Sequence, residues 1–331
     1  MTKALKVLFQ LLVSGLFLYI ALRNVDWNSA KEAYSTLDVR YFFGGIILHF
    51  SSFIVRALRW KWLMLPIKQI RYSSSFNVLS ISYAANNVIP LRAGDVLRAV
   101  MIGEKENVNK FSSFTTVLLE RISDGITLLL FMAIGLSVIE SNQLWISRVV
   151  WLSVIGFIGS ILFIFLLYHL QEKFINLIDR LLKSRSEKLA TKVVELLRNI
   201  LVAFKIVKST LTLLKIALTS IFIWCLEGSI FTLGAMSFGI ALHESILLGI
   251  VTVAIVNLGI MIPSSPGYVG TFEFFCMLSL ALFGFSNNTA ASFSVLVHLG
   301  QYIPITVIGC LLWLFMGIKQ SKVKQQELEA R

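Results

Sequence analysis

Long apolar runs recur along this chain and constrain its fold more than any other feature of the sequence. The first, Leu5 to Leu22, has about the 20 residues that an α-helix needs to cross a hydrocarbon core of about 30 Å. No small-residue cleavage site follows it, so we predict a retained helix rather than a removed signal. Comparable runs cover Tyr41 to Leu65, Ser113 to Ile139, Leu144 to His169, Leu211 to Ile240 and Thr289 to Ile318. The pattern predicts an all-α polytopic integral membrane protein.

A small number of charged residues sets the orientation of these runs. Only 15% of the 331 residues are charged, yet the formal net charge is +12. The basic residues concentrate in short segments between apolar runs, which favours cytoplasmic loops over a surface that binds nucleic acid. Three basic clusters, Arg56 to Arg71, Lys173 to Lys208 and Lys319 to Arg331, are therefore predicted to lie in the cytoplasm, together with both chain termini.

Two polar segments complete a single transmembrane domain that we assign to residues 1–331. Between residues 171 and 210, apolar side chains recur at three- and four-residue spacing while basic side chains occupy other faces. This pattern predicts a cytoplasmic amphipathic helix on the membrane surface, with recognition of anionic head groups by its basic face as the alternative. Residues 319–331 are predicted to form a cytoplasmic tail. The apolar positions of the amphipathic segment are Leu189, Val193, Leu196, Leu197, Ile200, Phe204 and Val207.

Two further apolar segments are interrupted by backbone breakers and share one pattern. Both contain I-P-x-x-x-G, at Ile89–Gly94 and at Ile262–Gly267, and an acid, Asp95 or Glu273, follows each. Some of the flanking apolar stretches, such as Val96–Ile102, are too short to span a membrane. Paired breaks of this kind are typical of binding sites in transporters built from inverted repeats. We therefore predict six to eight transmembrane helices with two re-entrant segments in an inverted repeat.

The breaks expose backbone groups that need partners. Pro90 and Pro263 lack a backbone N–H and end helices, whereas Gly94 and Gly267 permit backbone angles that other residues resist. Freed backbone groups are costly in lipid, so such breaks persist only beside protein or a water-filled cavity. Suitable partners are Asn86, Asn87, Ser264 and Ser265.

Positive charge at the first break predicts an anionic guest. A helix that restarts after a break directs N–H groups with partial positive charge at it, and Arg92 and Arg98 add two full charges. The alternative is that Pro and Gly only kink spanning helices while both arginines extend to phosphates at the membrane interface.

Three charged residues, Glu120, Arg121 and Asp124, lie within the apolar run Ser113 to Ile139. Each ionised side chain at the bilayer centre costs on the order of 2.5–3.5 kcal/mol, so partners are required. Arg121 and Asp124 are spaced to pair on one helix face, while Glu120 and Asp124 would repel each other unless a cation or proton intervenes. We predict that this helix lines the cavity and that an arginine of the first break reaches one of its acids. A purely structural ion pair is the alternative.

Other ionisable residues and missing motifs narrow the range of functions that this sequence can have. Glu227 lies in mid-span, either as a hydrogen-bonded structural residue or as a proton relay, and His298 is predicted to be a packing residue. Three Cys without paired spacing indicate neither disulfides nor a zinc site. The sequence contains no D-x-D, P-loop, G-x-S-x-G or H-E-x-x-H motif. We therefore expect no ATP-driven pump, no hydrolase, and no metal or other cofactor.

In three ordered motifs the chain resembles a flippase-like transmembrane family, the one named for the N-terminal domain of lysylphosphatidylglycerol synthase. The motifs are NNVIPLRAGDVLRAV, LLERISDGI and PSSPGYVGTFE, within a resemblance over residues 10–317. Asp95 replaces a Glu of the family pattern, and His298 stands where relatives often carry Arg. The matching positions are Asn86, Pro90, Arg92, Gly94 and Arg98, then Glu120, Arg121 and Asp124, then Pro263, Pro266, Gly267, Gly270 and Glu273.

The resemblance implies a flippase-like protein of the prokaryotic cell (inner) membrane that moves lipid between leaflets. Its expected partners are anionic membrane lipids, either phospholipids or polyprenyl-phosphate-linked lipids, and not nucleic acid; a homo-oligomer stays open. A membrane glycosyltransferase acting on lipid-linked sugars and an accessory subunit are the alternatives. Full-length synthases continue into an aminoacyl-transferase domain, whereas this chain ends shortly after its last apolar run. We therefore expect a transporter rather than an enzyme.

Overall fold

The computed structural model describes residues 3–35, 37–139, 144–183, 187–202, 204, 206 and 209–329. Within these ranges the chain forms helices joined by turns and contains no strand. Two short 3-10 turns, Pro90–Arg92 and Pro266–Tyr268, interrupt the helical order. The α-helices are α1 (Lys3–Leu22), α2 (Trp27–Glu32), α3 (Val39–Leu63), α4 (Tyr72–Val88), α5 (Ala93–Glu106), α6 (Lys110–Val138), α7 (Leu144–Lys183), α8 (Glu187–Leu201), α9 (Thr210–Ser237), α10 (Leu242–Gly259), α11 (Thr271–Ala281) and α12 (Asn287–Glu329).

The predicted class, an all-α polytopic membrane protein, is confirmed by the apolar helices. Five of those in the described ranges, α3, α7, α9, α10 and α12, are long and apolar enough to cross a membrane. α1 contributes a shorter apolar stretch, Leu8–Leu22, and α6 is 29 residues long but carries charged residues. α10 forms the first half of the second interrupted segment. With 18 residues it reaches spanning length by itself and is longer than a half-helix.

The first break occurs at the predicted position. α4 ends at Val88, and Arg92 adopts a left-handed backbone conformation with φ of 52° before α5 begins. Gly94 lies so close to α4 that an added Cβ would collide with the carbonyl oxygen of Ser82 and the side chain of Asn86. The hydroxyl of Ser82 donates to the Gly94 carbonyl at 2.8 Å. The glycine thus allows α5 to pack directly against the last turns of α4.

The second break also occurs where the sequence predicts it. Gly267 and Gly270 both have positive φ, at 70° and 89°, and carry the chain from the 3-10 turn into α11. The Gly270 N–H donates to the Glu273 carboxylate at 2.6 Å and so caps this helix. α11 then runs back along α10, where the hydroxyls of Thr252 and Ser279 are 2.8 Å apart. Entry of either broken segment from one membrane face stays a prediction.

The two halves of the chain repeat one order of elements and run in opposite directions. In α3–α6 and again in α9–α12, a long helix precedes a broken pair and another long helix follows it. α3 and α9 pack antiparallel, because Ser52 contacts Glu227 while Arg59, further along α3, contacts Ser220 earlier in α9. α4 packs on α12 and α10 packs on α6, so each half supplies the same contact to the other. These relationships support the predicted inverted repeat.

The predicted loop placement of the first basic cluster is wrong for two of its members, while its cytoplasmic side stays a prediction. Arg56 and Arg59 lie within α3 and are 3% and 0% exposed. They fall on the face of α3 that packs against acid-bearing helices, which supply the charge partners that a loop would not. Lys68 and Arg71, beyond the end of α3, are exposed.

The predicted amphipathic segment follows a membrane span without interruption. α7 is 40 residues long, about 60 Å at about 1.5 Å per residue, and its second half runs beyond the apolar window that ends at Phe163. α8 folds back on α7 and on α6, where the hydroxyl of Ser112 donates to the Asn199 carbonyl at 2.8 Å. α12 continues into the predicted tail as far as Glu329. Glu140–Gln143, Lys205, Val207, Lys208 and Arg331 lie outside the described residues.

Candidate functional site

An arginine of the first break reaches an acid of α6, as predicted. Arg98 donates to both carboxylate oxygens of Glu120, at 2.8 and 3.1 Å, and both side chains are fully buried. The guanidinium of Arg98 also lies 3.8 Å from the centre of the Trp60 ring. The charge of Arg98 is therefore neutralised by a carboxylate of the protein itself.

A second arginine separates the two acids of α6. Arg59 Nη2 lies 2.8 Å from Asp124 Oδ1 and 3.8 Å from Glu120 Oε1. Its Nη1 donates to the hydroxyl of Ser220 at 2.7 Å. Arg59 is thus the cation that Glu120 and Asp124 require in order to share one helix face.

Arg56 joins Asp124 to Glu227 of α9. Its Nη1 and Nε lie 3.2 Å from Asp124 Oδ2 and from Glu227 Oε1, respectively. Glu227 also accepts a hydrogen bond from Ser52 at 2.6 Å and lies 3.1 Å from His49 Nδ1. These contacts agree with one of the two predictions for Glu227, that it is a hydrogen-bonded structural residue.

Arg121 pairs more closely with an acid of another helix than with the acid of its own helix. It donates to the Asp95 carboxylate from Nη2 at 2.7 Å and from Nε at 3.1 Å, and Asn86 donates to the same acid at 3.0 Å. The predicted partner on its own helix, Asp124, is 4.0 Å away. The acid after the first break therefore binds the next long helix.

The second half contains an equivalent pair at His298, which is more than the predicted packing residue. Its Nδ1 lies 2.6 Å from Glu273 Oε1 and its Nε2 lies 2.8 Å from the Gly267 carbonyl oxygen. Because a carbonyl only accepts, Nε2 is the donor there, and a proton must lie between Nδ1 and the carboxylate. Glu273 and His298 thus correspond to Asp95 and Arg121.

Two adjoining cavities lie among these groups. The larger has a volume of about 210 Å³ and the smaller about 180 Å³, and the smaller lies where the two breaks meet. Residues on the wall of both are Asn86, Arg92, Ile260, Met261 and Tyr268. The larger cavity is further lined by His49, Phe53, Arg56, Tyr83, Asn87, Arg121, Asp124, Gly125, Leu128, Trp224, Glu227, Asn257, Phe272, His298, Gln301, Tyr302 and Ile305.

Arg92 lies at the junction of the two cavities, and no carboxylate among the described residues pairs with its charge. It is partly exposed, and its Nη2 donates to the Ile260 carbonyl at 2.9 Å, across from one break to the other. Its guanidinium carbon lies 5.5 Å from the centre of the Tyr268 ring. The arginines of this region, taken over the described residues, are paired with carboxylates except Arg92. One positive charge therefore stays unneutralised at the cavity wall.

The predicted site residues divide between the cavity walls and the packing around them. On the walls are Asn86, Asn87, Pro90, Arg92, Arg121, Asp124, Pro263, Ser264, Ser265 and Pro266. The other predicted site residues lie on the wall of neither cavity; they allow the backbone conformation of the breaks or form ion pairs. They are Gly94, Asp95, Arg98, Glu120, Gly267, Gly270 and Glu273.

Sequence reasoning missed a polar face on α3. His49, Ser52, Arg56 and Arg59 recur at intervals of three and four residues inside an apolar run, and all four are buried. Polar residues at helical spacing within a span are the pattern that could have found them.

Fold and site together define a polytopic α-helical membrane protein with a charged internal cavity between two broken segments. The chain belongs to the family described as the lysylphosphatidylglycerol synthase TM region, whose match covers residues 7–309. Membership indicates a function related to membrane lipids. No curated protein and no solved structure matches the chain significantly.

Proposed function

We propose that this protein moves an anionic lipid between membrane leaflets and that Arg92 binds the phosphate of its head group. The observation that carries this proposal is the charge of Arg92 at the junction of the cavities, which no carboxylate among the described residues neutralises. A phosphate oxygen can replace the Ile260 carbonyl as acceptor without breaking any of the buried ion pairs. Charge-assisted bonds from arginine to phosphate are among the stronger hydrogen bonds in proteins.

The walls of the cavities suit a lipid that keeps its chains in the bilayer. Met261 and Ile262, on the wall of the smaller cavity, are 60% and 40% exposed. Phe53 and Phe272 add apolar surface to the larger cavity, beside the charged groups. A head group inside and acyl chains along the exposed apolar residues would place each part of the lipid in a favourable environment.

The same proposal includes a topology and a mode of action. The two broken segments enter the bilayer as re-entrant pairs, one from each face. Both termini lie in the cytoplasm of a prokaryotic cell. The protein transports lipid without catalysing a reaction. The return of α11 along α10 and the antiparallel course of α3 and α9 support this topology.

Reconstitution into vesicles tests the function. Leaflet exchange of a fluorescent anionic lipid, read by external quenching, should be faster than in protein-free vesicles. Arg92→Gln should slow it about 10- to 100-fold, because a hydrogen bond to a charged group is worth about 1.5–3 kcal/mol. Arg71→Gln, at an exposed arginine before α4, serves as the matched control and should keep the parent rate.

The alternatives give different outcomes in the same vesicles. No exchange above protein-free vesicles, for phospholipids and for polyprenyl phosphates, would overturn the proposal. Binding of the labelled lipid without exchange would instead support an accessory lipid-binding subunit. Turnover of a lipid-linked sugar would support the glycosyltransferase.

A further inference from the structure

The buried charges around the two cavities form one network in which positive and negative charges are equal in number. Successive contacts of 2.7–4.0 Å between guanidinium and carboxylate groups join four arginines to four acids, counted over the described residues. They are Arg56, Arg59, Arg98 and Arg121, with Asp95, Glu120, Asp124 and Glu227. With all eight ionised, the network carries no net charge. Any further cation on the cavity walls therefore stays unneutralised until an anion enters.

His49 of α3 lies beside this network with ring nitrogens that form no hydrogen bond to the described residues. It is 5% exposed and lies on the wall of the larger cavity. Its Nδ1 is 3.1 Å from Glu227 Oε2 without forming a hydrogen bond there, whereas Ser52 and Arg56 both donate to the other oxygen, Oε1. An ionised carboxylate only accepts, so the proton of a neutral imidazole lies on Nδ1 and Nε2 keeps its lone pair. His49 can therefore bind a second proton at Nε2 and become a cation that faces Glu227.

His298, the other histidine on this wall, has no vacant nitrogen. Its Nε2 donates to the Gly267 carbonyl, and its Nδ1 shares a proton with Glu273. The remaining ionisable groups around the larger cavity come from α3, α4, α6, α9, α12 and the two breaks. They are Arg56, Tyr83, Arg92, Arg121, Asp124, Glu227, Tyr268 and Tyr302. Arginine and tyrosine keep their protons at neutral pH and both acids are ion-paired, so His49 is the group on this described wall that is suited to change its charge.

A proton on His49 supplies the positive charge that the interior of the larger cavity lacks. Arg56 and Arg121 are already matched by carboxylates, so an anion that moves inward from Arg92 meets no further unpaired charge. Protonated His49 adds this charge, and its pairing with Glu227 leaves Arg56 freer to donate to the guest. Opposite charges attract strongly in a cavity of low dielectric constant, so binding of the proton and binding of the anion each raise the affinity for the other.

A bound proton also changes how the membrane potential acts on the guest. A potential of about 100 mV distributes an anion that crosses alone about 50-fold between the two leaflets. A monoanionic head group that crosses together with one proton carries no net charge and is insensitive to this potential. Its distribution follows the difference in proton concentration instead, about tenfold for each pH unit.

We propose that His49 is a proton-binding site of the larger cavity and that the protein moves one proton together with each monoanionic lipid head group. The proton enters from water in the cavity, binds at Nε2 and leaves with the lipid on the other side of the membrane. Glu227 keeps its charge throughout and holds the imidazole in place. This inference rests on the proposed function and adds to it the coupling ion and the gradient that drives net transport.

Vesicles with a pH difference across the membrane provide the test. Two fluorescent monoanionic phosphodiesters, phosphatidylglycerol and a mannosyl polyprenyl phosphodiester, are run in parallel, and the one that exchanges faster at equal pH serves as the probe. With the outside more acidic by one pH unit, the parent protein should accumulate the probe in the inner leaflet up to about tenfold, read by external quenching. Protein-free vesicles under the same gradient give the background. At equal pH, a potassium diffusion potential should produce no accumulation.

Matched histidine variants assign the proton to its site. His49→Gln keeps a polar side chain that does not titrate, so the ratio between the leaflets should fall from about tenfold to about one. His243→Gln makes the same change at a histidine whose side chain is 83% exposed, and it should keep the parent ratio. His49→Asn repeats the test if His49→Gln does not fold, and the measurements on the parent protein need no variant.

The outcomes separate this inference from the proposed function. Exchange at equal pH without accumulation under the pH gradient would overturn the proton coupling and leave the proposed function standing. Accumulation driven by the potential at equal pH would also overturn it, since the anion would then cross alone. A parent ratio retained in His49→Gln would overturn the assignment to His49. If neither lipid exchanges under any condition, the proposed function fails, and the coupling fails with it.

Discussion

Arg98 and Glu120 form a doubly hydrogen-bonded ion pair in which neither side chain is exposed to solvent. The pair joins α5, which follows the first break, to α6. Buried ion pairs add little net stability over well-packed apolar residues, but the loss of one partner leaves an uncompensated charge. The pair therefore fixes where α5 lies more than it adds to the free energy of unfolding.

Single and double replacements of this pair should differ in the size of their effect on stability. Arg98→Leu or Glu120→Leu alone should lower the free energy of unfolding by about 3–5 kcal/mol, whereas the double variant should recover most of this loss. Unfolding in detergent measures all three. Because the pair lies on the wall of neither cavity, the double variant should still exchange lipid. Equal stability of the single and double variants would contradict this account.

Asp124 is the acid on which the network of α3, α6 and α9 converges. It accepts from Arg56 at 3.2 Å and from Trp224 at 3.1 Å, and it lies 2.8 Å from Arg59. Asp124→Asn leaves two buried guanidinium groups without that charge, so we expect a loss of about 3–5 kcal/mol in unfolding free energy.

The control for Asp124 is an acid in an exposed pair. Asp179 pairs with Lys183 on α7 at 2.7 Å, with the Lys183 side chain 55% exposed. Asp179→Asn should leave the unfolding transition unchanged, since exposed pairs contribute little. If both variants unfold like the parent, the buried network does not hold these helices together.

Gly94 controls the approach of α5 to α4. Gly94→Ala introduces a Cβ that collides with the Ser82 carbonyl, and overpacking of this kind costs about 1–3 kcal/mol. Gly159→Ala on α7 meets nothing within 4 Å and should gain up to about 1 kcal/mol from helix propensity. Thermal unfolding midpoints of the two variants should therefore move in opposite directions. An unchanged or raised midpoint in Gly94→Ala would show that the close approach at Gly94 is not required.

The breaks could be predicted from the sequence because Pro and Gly act on the backbone where they stand. The partner of Arg98 was also within reach, since α5 and α6 are neighbours in the chain. Arg56 and Arg59 could not be placed in the same way. Their burial depends on acids from α6 and α9, far away in sequence, and on how α3 packs between them.

The absence of a carboxylate partner for Arg92 among the described residues is likewise a property of the assembled fold. The sequence gives Arg92 and Arg98 similar surroundings, and both were predicted to bind the guest. Only the packing of α6 against α5 assigns Glu120 to Arg98 and leaves Arg92 at the cavity wall. Spacing along one chain segment cannot distinguish two arginines whose partners come from other helices.

His298 connects α12 to the second break through two contacts, and its replacement should depend on the charge of the new residue. His298→Leu leaves the Gly267 carbonyl and the Glu273 carboxylate without donors on that side, so we expect a loss of about 3–5 kcal/mol in unfolding free energy. His298→Arg supplies donors to both groups and repeats the pair that Arg121 forms with Asp95 in the first half. It should therefore retain more than half of the stability that His298→Leu loses, as measured by unfolding in detergent. Equal losses in the two variants would mean that the shape of the imidazole, and not its donors, holds the second break in place.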